Sequence, residues 1–217
     1  MNKTVHIPYL TDLDLTDFIK LEEQLELYGA KIPVSEVNWK EFPYIPSTIA
    51  LIARTEKHIV VLYHVRGLDI RATVMDDNEM VCADSCCEFF VSDPSDGTYY
   101  NFEMNCIGTI KAAKRKSRQD YELLSEDRLS RIIRHTSLKR KEIIRSGMHS
   151  WRVAMCIPLD LIGIDPMSIP EKVSANFYKC ADKSGHPHFL SWNPIETMKP
   201  DFHLPEFFGT IVFQEND

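Results

Sequence analysis

Glycine is scarce in this chain of 217 residues, with eight in all, and no glycine-rich loop is available to cradle a phosphate. There is no Gly-x-Ser-x-Gly turn and no thiol flanked as catalytic thiols are, so a nucleophilic triad has no placed nucleophile. Cys-x-x-Cys pairs are missing too. Without them His186, His188 and Cys180 have ligand types suited to zinc but no second ligand pair. No apolar run approaches the length of a membrane span. The opening residues, Met1 to Tyr9, lack the apolar core of a signal peptide, which predicts a cytoplasmic protein unless the chain has been shortened. Repeats and low-complexity tracts are likewise missing.

What is present suits one large β domain. The six cysteines (Cys82, Cys86, Cys87, Cys106, Cys156 and Cys180) are an even set, but a chain this long needs no staples. They are expected to be buried thiols, with Cys86 and Cys87 on opposite faces of one strand. The net charge of −7 is unevenly spread, because residues 111–145 hold twelve lysines and arginines against five acids. That stripe lacks exposed aromatic interleaving and any DNA-reading motif, so it predicts a solvated surface rather than a nucleic-acid partner. Neither a membrane nor an oligomeric partner is indicated, and the expected state is a monomer.

Leu15, Phe18, Ile19, Glu22 and Leu25 fall at helical spacing, which predicts one amphipathic helix between Thr11 and Tyr28 in a lead-in covering residues 1–37. From Ser47 the period changes to two. Residues 49–54 and 58–66 read as a hairpin, with Ile59, Val61, Tyr63 and Val65 on one face. Asp93 to Gly97 reads as a turn, followed by Tyr100, Phe102, Met104 and Cys106 alternating with Tyr99, Asn101, Glu103 and Asn105. Further strands are expected at 107–113, 130–137, 150–157, 172–180, 188–192 and 207–213, with a helical turn at 158–163. The predicted fold is an all-β sandwich of mostly antiparallel strands, jelly-roll or immunoglobulin-like, occupying residues 38–217.

Chemistry is concentrated on the polar strand faces. Trp192, at a strand end before Pro194, is a ring suited to stacking on a pyranose. Trp151, alternating with Val153, Met155 and Ile157, is expected in the core, and Trp39 is expected to seal the sandwich end. A sugar site is predicted from Trp192, Tyr178, Asn101, Glu103, Asn105, Asn176 and Arg71. Glu88 and Glu103, on successive strands, supply the two carboxylates of the alternative reading, a glycoside hydrolase. Glu88, sharing a face with Cys86 and Phe90, better fits a structural or metal-linked role. The acidic loops at Asp76 and Asp77 and at Asp93 and Asp96 carry oxygen ligands of the kind calcium takes.

Several segments together resemble the family 9 carbohydrate-binding modules, and particularly the stand-alone family 9-like proteins of gut-type bacteria. They are Asp84-Ser-Cys-Cys-Glu-Phe-Phe90, Tyr100-Asn-Phe-Glu-Met-Asn-Cys-Ile-Gly-Thr109, Ala175-Asn-Phe-Tyr-Lys-Cys-Ala-Asp182, Leu190-Ser-Trp-Asn-Pro-Ile195 and Pro200-Asp-Phe-His-Leu-Pro-Glu-Phe-Phe-Gly209. The similarity spans about residues 38–214. It implies a non-catalytic sandwich that grips a sugar, often at a chain end, between two tryptophans, with structural calcium. Trp192 matches one of these rings, and Asn105 and Asn176 match amides on the corresponding strands. Three positions depart from the pattern. Val81-Cys-Ala83 stands where the second tryptophan belongs, Glu103 where a sugar-contacting arginine belongs, and Arg66-Gly67 where a calcium-binding acid belongs. A related branch of this sandwich binds haem through Met and His or Lys, for which this chain offers Met104, Met155, His64 and His149.

Overall fold

Period-two alternation sorts the side chains into layers. The computed structural model describes residues 2–214, and within them two sheets lie face to face. The elements run β1 (Thr4–Ile7), α1 (Phe18–Tyr28), β2 (Ala30–Pro33), β3 (Glu36–Val37), β4 (Ser47–Arg54), β5 (His58–Ala72), β6 (Cys86–Ser92) and β7 (Tyr99–Asn105). They continue with β8 (Ile110–Arg115), β9 (Tyr121–Leu123), α2 (Glu126–Ser130), β10 (Ile133–Thr136), β11 (Ile143–Pro158), β12 (Lys172–Cys180), β13 (Phe189–Ser191) and β14 (Gly209–Phe213). The larger sheet has the order β1-β14-β12-β6-β7-β8-β9, with β13 joining β12 to β3, and the smaller has the order β10-β11-β5-β4-β2. Every strand pair is antiparallel except β1 with β14.

The main core lies between the sheets. Ile59, Val61 and Tyr63 of β5 and Val153, Met155 and Ile157 of β11 meet Phe89 and Val91 of β6, Phe102 and Met104 of β7, and Phe177 of β12. The outer faces are covered as well. Leu21 and Leu25 of α1 close over Leu51, Val60, Leu62 and Ala154 of the small sheet, each leucine contributing about 1.5–3 kcal/mol by its burial. On the far side of the large sheet, the segment at 194–208 lays Ile195, Phe202 and Phe208 over Phe90, Tyr99 and Tyr178. Trp39 packs there too and donates its Nε1–H to Thr197 O at 3.1 Å. The layers are therefore helix, small sheet, large sheet and C-terminal strap.

The expected hairpin is formed by β4 and β5, and β12 spans the predicted 172–180. Other bounds move for local reasons. The first helix begins only after Asp17, whose carboxylate accepts from Ile19 N at 3.0 Å and Lys20 N at 3.2 Å, because Asp14 holds the preceding residues in a turn. Strand β8 starts at Ile110 because Gly108, at φ 86°, makes a turn closed by Asn105. Ser130 ends α2 rather than opening a strand. The lead-in is not separate from the sandwich: β1 extends the large sheet and β2 the small one. The last three residues of the predicted domain, 215–217, lie outside the described residues.

Candidate functional site

Alternation on β6, β7 and β8 sends Cys86, Glu88 and Phe90, Tyr99, Asn101 and Glu103, and Lys111 and Arg115 to the outer face of the large sheet. Register then aligns Tyr178, Glu88, Glu103 and Lys111 as one row across four strands. The strap covers the Tyr178 end of the row. The other end opens into a cavity of about 350 Å³. Its floor is Glu88, Glu103, Lys111 and Arg115, its walls are Tyr121, Phe189, Phe202 and His203, and Cys82 and Asp182 stand at one side.

Charge is organised on that floor. Arg115 donates through Nε to Asn101 Oδ1 and through Nη1 to Arg118 O at 2.9 Å, and its guanidinium lies 4.2 Å from the Tyr121 ring centroid. Asn101 Nδ2 donates to Glu103 Oε1 at 2.9 Å. Arg118 pairs with Asp201 at 3.2 Å. Among the described residues Lys111 has neither an ion pair nor a side-chain hydrogen bond, so its ammonium remains available to a ligand. Burial, with the neighbouring Glu103, pushes the Glu88 carboxyl well above the carboxylate range. Burial raises Glu103 as well, against the pull of Lys111 and Arg115. His203 is driven down to about 3 by burial and by Arg115, Arg118 and Lys111, so it stays neutral and faces Tyr99 Oη across 3.2 Å.

The structure separates the predicted sugar residues. Glu103 reaches the cavity, and Asn101 supports it from beneath. Trp192 does not serve as an open platform: it is 4 % exposed, packs edge-on to Phe177 at 5.6 Å, and lies so close to Gly209 that a Cβ there would sit 2.5 Å from its ring. The reason is register, because Trp192 follows β13 at the side of β12 where the main core closes. Tyr178 is fully buried, stacked on Phe202 at 4.2 Å with its hydroxyl donating to Phe202 O. Asn105 spends its amide on Val74 O, Asp84, Ile107 N and Thr109 N, and Asn176 spends its own on Asn193, Phe207 O and Phe177 N. Both asparagines are structural locks. Arg71 lies apart, beside Asp84 and Thr73.

The acidic loops do not fit calcium. Lys114 Nζ bridges Asp93 at 2.9 Å and Asp96 at 2.7 Å, and Arg134 holds both Asp77 oxygens at 2.9 Å, while Asp76 is solvent-exposed. Protein cations already occupy the positions a metal would need. The haem ligand types do not converge: Met104 and Met155 are core residues, His64 lies against Glu22 and Glu26 beneath α1, and His149 is on the surface. His186 pairs with Asp69 at 2.7 Å, and His188 accepts from buried Lys179 Nζ at 2.9 Å, so neither turns toward Cys180.

Most of the cavity residues escaped the sequence reading. Lys111, Arg115 and Arg118 belong to the basic stripe expected to be solvated, Tyr121 opens the short strand β9, and Asp182, Phe202 and His203 come from two separate loops. The one available signal was β8, whose alternation continues the polar face of β7. On the small-sheet side a larger groove of about 470 Å³ has Glu22 at its edge, already paired with Arg152 at 2.6 Å and set against His64 at 3.3 Å.

The model of carbohydrate-binding family 9 matches residues 21–213, nearly the whole sandwich. The chain belongs to this family. A crystal structure from Bacteroides uniformis, of a protein proposed to bind carbohydrate, is 33 % identical and superposes with a TM-score of 0.91 over 99 % of this chain and all of its own. Two structures of a family 9 module from Caldicellulosiruptor kristjanssonii, one with glucose and one with cellotriose, share the fold at TM-scores of 0.58 and 0.57 with 12 % and 13 % identity. Each covers 99 % of this chain, which spans 97 % and 95 % of theirs. No curated protein matches the chain in sequence. All three structures are described by carbohydrate binding, and none is described as an enzyme.

Proposed function

We propose that the protein binds a mono- or oligosaccharide without cleaving it, in the cavity over Glu103, Lys111 and Arg115. The observation that carries this reading is the pairing of a charged, hydrogen-bonding floor with aromatic walls in one open concavity. Carboxylates accept from sugar hydroxyls, ammonium and guanidinium groups donate to them, and Tyr121 offers an apolar ring face at the rim. Family membership and the sugar complexes of the Caldicellulosiruptor module support the same ligand class. Recognition moves from Trp192 to this cavity, because a buried indole presents no face to a ligand.

Hydrolysis is not part of this reading, because the family is a carbohydrate-binding one. Glu88 and Glu103 rise side by side from one sheet face, where burial makes both weaker acids.

Calorimetric titration against a panel of mono- and oligosaccharides tests the proposal. A wet, open site of this size is expected to bind with millimolar to micromolar affinity, about −4 to −8 kcal/mol. Tyr121→Ala and Glu103→Gln should each weaken binding by about tenfold or more, roughly 1.4 kcal/mol, while the sugars emerge intact after prolonged incubation. Binding that ignores both substitutions would place the sugar elsewhere, and cleavage would replace the reading with an enzymatic one.

A further inference from the structure

Beneath one side of the cavity lies a donor set that sugar recognition does not explain. Alternation along β6 puts Cys86 and Glu88 on the same outer face, and the β6–β12 register sets Cys180 directly opposite Cys86. The two Sγ atoms and a Glu88 carboxylate oxygen all lie within 4.8 Å of one another, and all three residues are buried. Cys180 Sγ stands 3.1 Å from Glu88 Oε1.

We propose that Cys86, Cys180 and Glu88 bind a thiophilic divalent cation of the zinc class. The geometry suits it. Arms of about 2.3 Å to sulfur and about 2.0–2.2 Å to oxygen place tetrahedral donors some 3.5–3.8 Å apart, a spacing these side chains reach by small rotations. Two sulfurs and one carboxylate are a borderline-soft set that favours zinc over calcium or magnesium. A second observation points the same way: among the described residues, the only hydrogen-bond partner of the buried Glu88 carboxyl is a thiol, a weak donor. Its backbone oxygen is occupied by Tyr63 Oη, so the carboxyl alone lacks a strong partner. The remaining coordination position faces the cavity, which Cys82, Glu88 and Cys180 all line. There a water, or a cavity ligand, completes the tetrahedron.

The donors are three parts of two adjacent strands, so the frame exists whether or not a sugar binds. The test is cobalt titration of chelator-treated, thiol-reduced protein without sugar. One equivalent of Co²⁺ should produce a sulfur-to-cobalt charge-transfer band and the intense visible bands of a tetrahedral site, and one equivalent of Zn²⁺ should abolish them. Cys86→Ser and Cys180→Ser should lose the charge-transfer band, Glu88→Gln should weaken cobalt binding, and Cys156→Ala, on the opposite sheet, should keep the band. Folded wild-type protein that gives no thiolate band with stoichiometric cobalt overturns the proposal without recourse to any variant. So does a band that survives in both serine variants.

Discussion

At the scale of single residues, burial decides whether an aromatic ring recognises a ligand or holds the fold. Trp192 and Tyr121 are both aromatic residues at the ends of short strands, yet one is 4 % exposed and the other 46 %. Trp192→Ala should therefore act on stability, costing about 3–5 kcal/mol in a urea titration, since the void left against Phe177 and Gly209 cannot collapse fully. Titratable residues follow the same logic. His203 is held neutral down to about 3 and His188 to about 2, mainly by burial, whereas unfolded histidines titrate near 6.5. Below about pH 6.5 the unfolded chain takes up protons that the folded chain refuses, so each histidine makes stability fall as pH drops toward its folded value. Each contributes up to about 1.4 kcal/mol per pH unit in that window. His203→Phe should shrink the loss between about pH 7 and about pH 5, as read from urea midpoints. An unchanged slope would show that His203 is protonated in the fold.

At the scale of elements, the loop between β6 and β7 shows how a metal-like motif can be satisfied from within. Asp93 is almost wholly buried, and Lys114 of β8 reaches across to it and to Asp96. The hydrogen bonds from Lys114 and Thr98 lower the Asp96 pKa to about 2, and Ser95 and Lys114 lower that of Asp93 against its burial. Millimolar calcium added to metal-free protein should leave the melting temperature unchanged. Lys114→Ser should lower stability by about 1–3 kcal/mol, since it leaves a buried carboxylate whose remaining side-chain partner is Ser95. A calcium-dependent rise in the wild type would show that the ammonium yields its place. The strap at 194–208 is the other decisive element, because it covers Tyr178 and thereby moves the open part of the sheet face to Glu103 and Lys111.

At the scale of the whole molecule, two sheets are each covered on both faces, and this explains what could be read in advance. The core strands were legible because a face that must exclude water repeats every second residue: Ile59, Val61, Tyr63 and Val65 announce it on β5 and Tyr100, Phe102 and Met104 on β7. The polar face of β7 was legible by the same rule, and Glu103 was found with it. Less legible was the role of residues 4–37. Strands as short as β1 and β2 carry almost no period and become strands only when a sheet edge receives them. The tryptophan at 192 misled because position at a strand end says nothing about which layer the ring enters.

The sequence by itself determined the sandwich, its alternating inner and outer faces, and its membership of a carbohydrate-binding family, because side-chain period and local motifs are properties of neighbouring residues. Only the tertiary structure decided which outer-face groups meet. Register set Glu88 beside Glu103 and Cys86 opposite Cys180, and the strap chose which of them stay open. Contacts between residues about ninety positions apart have no local signature, because they are fixed by how the strands align and what covers them.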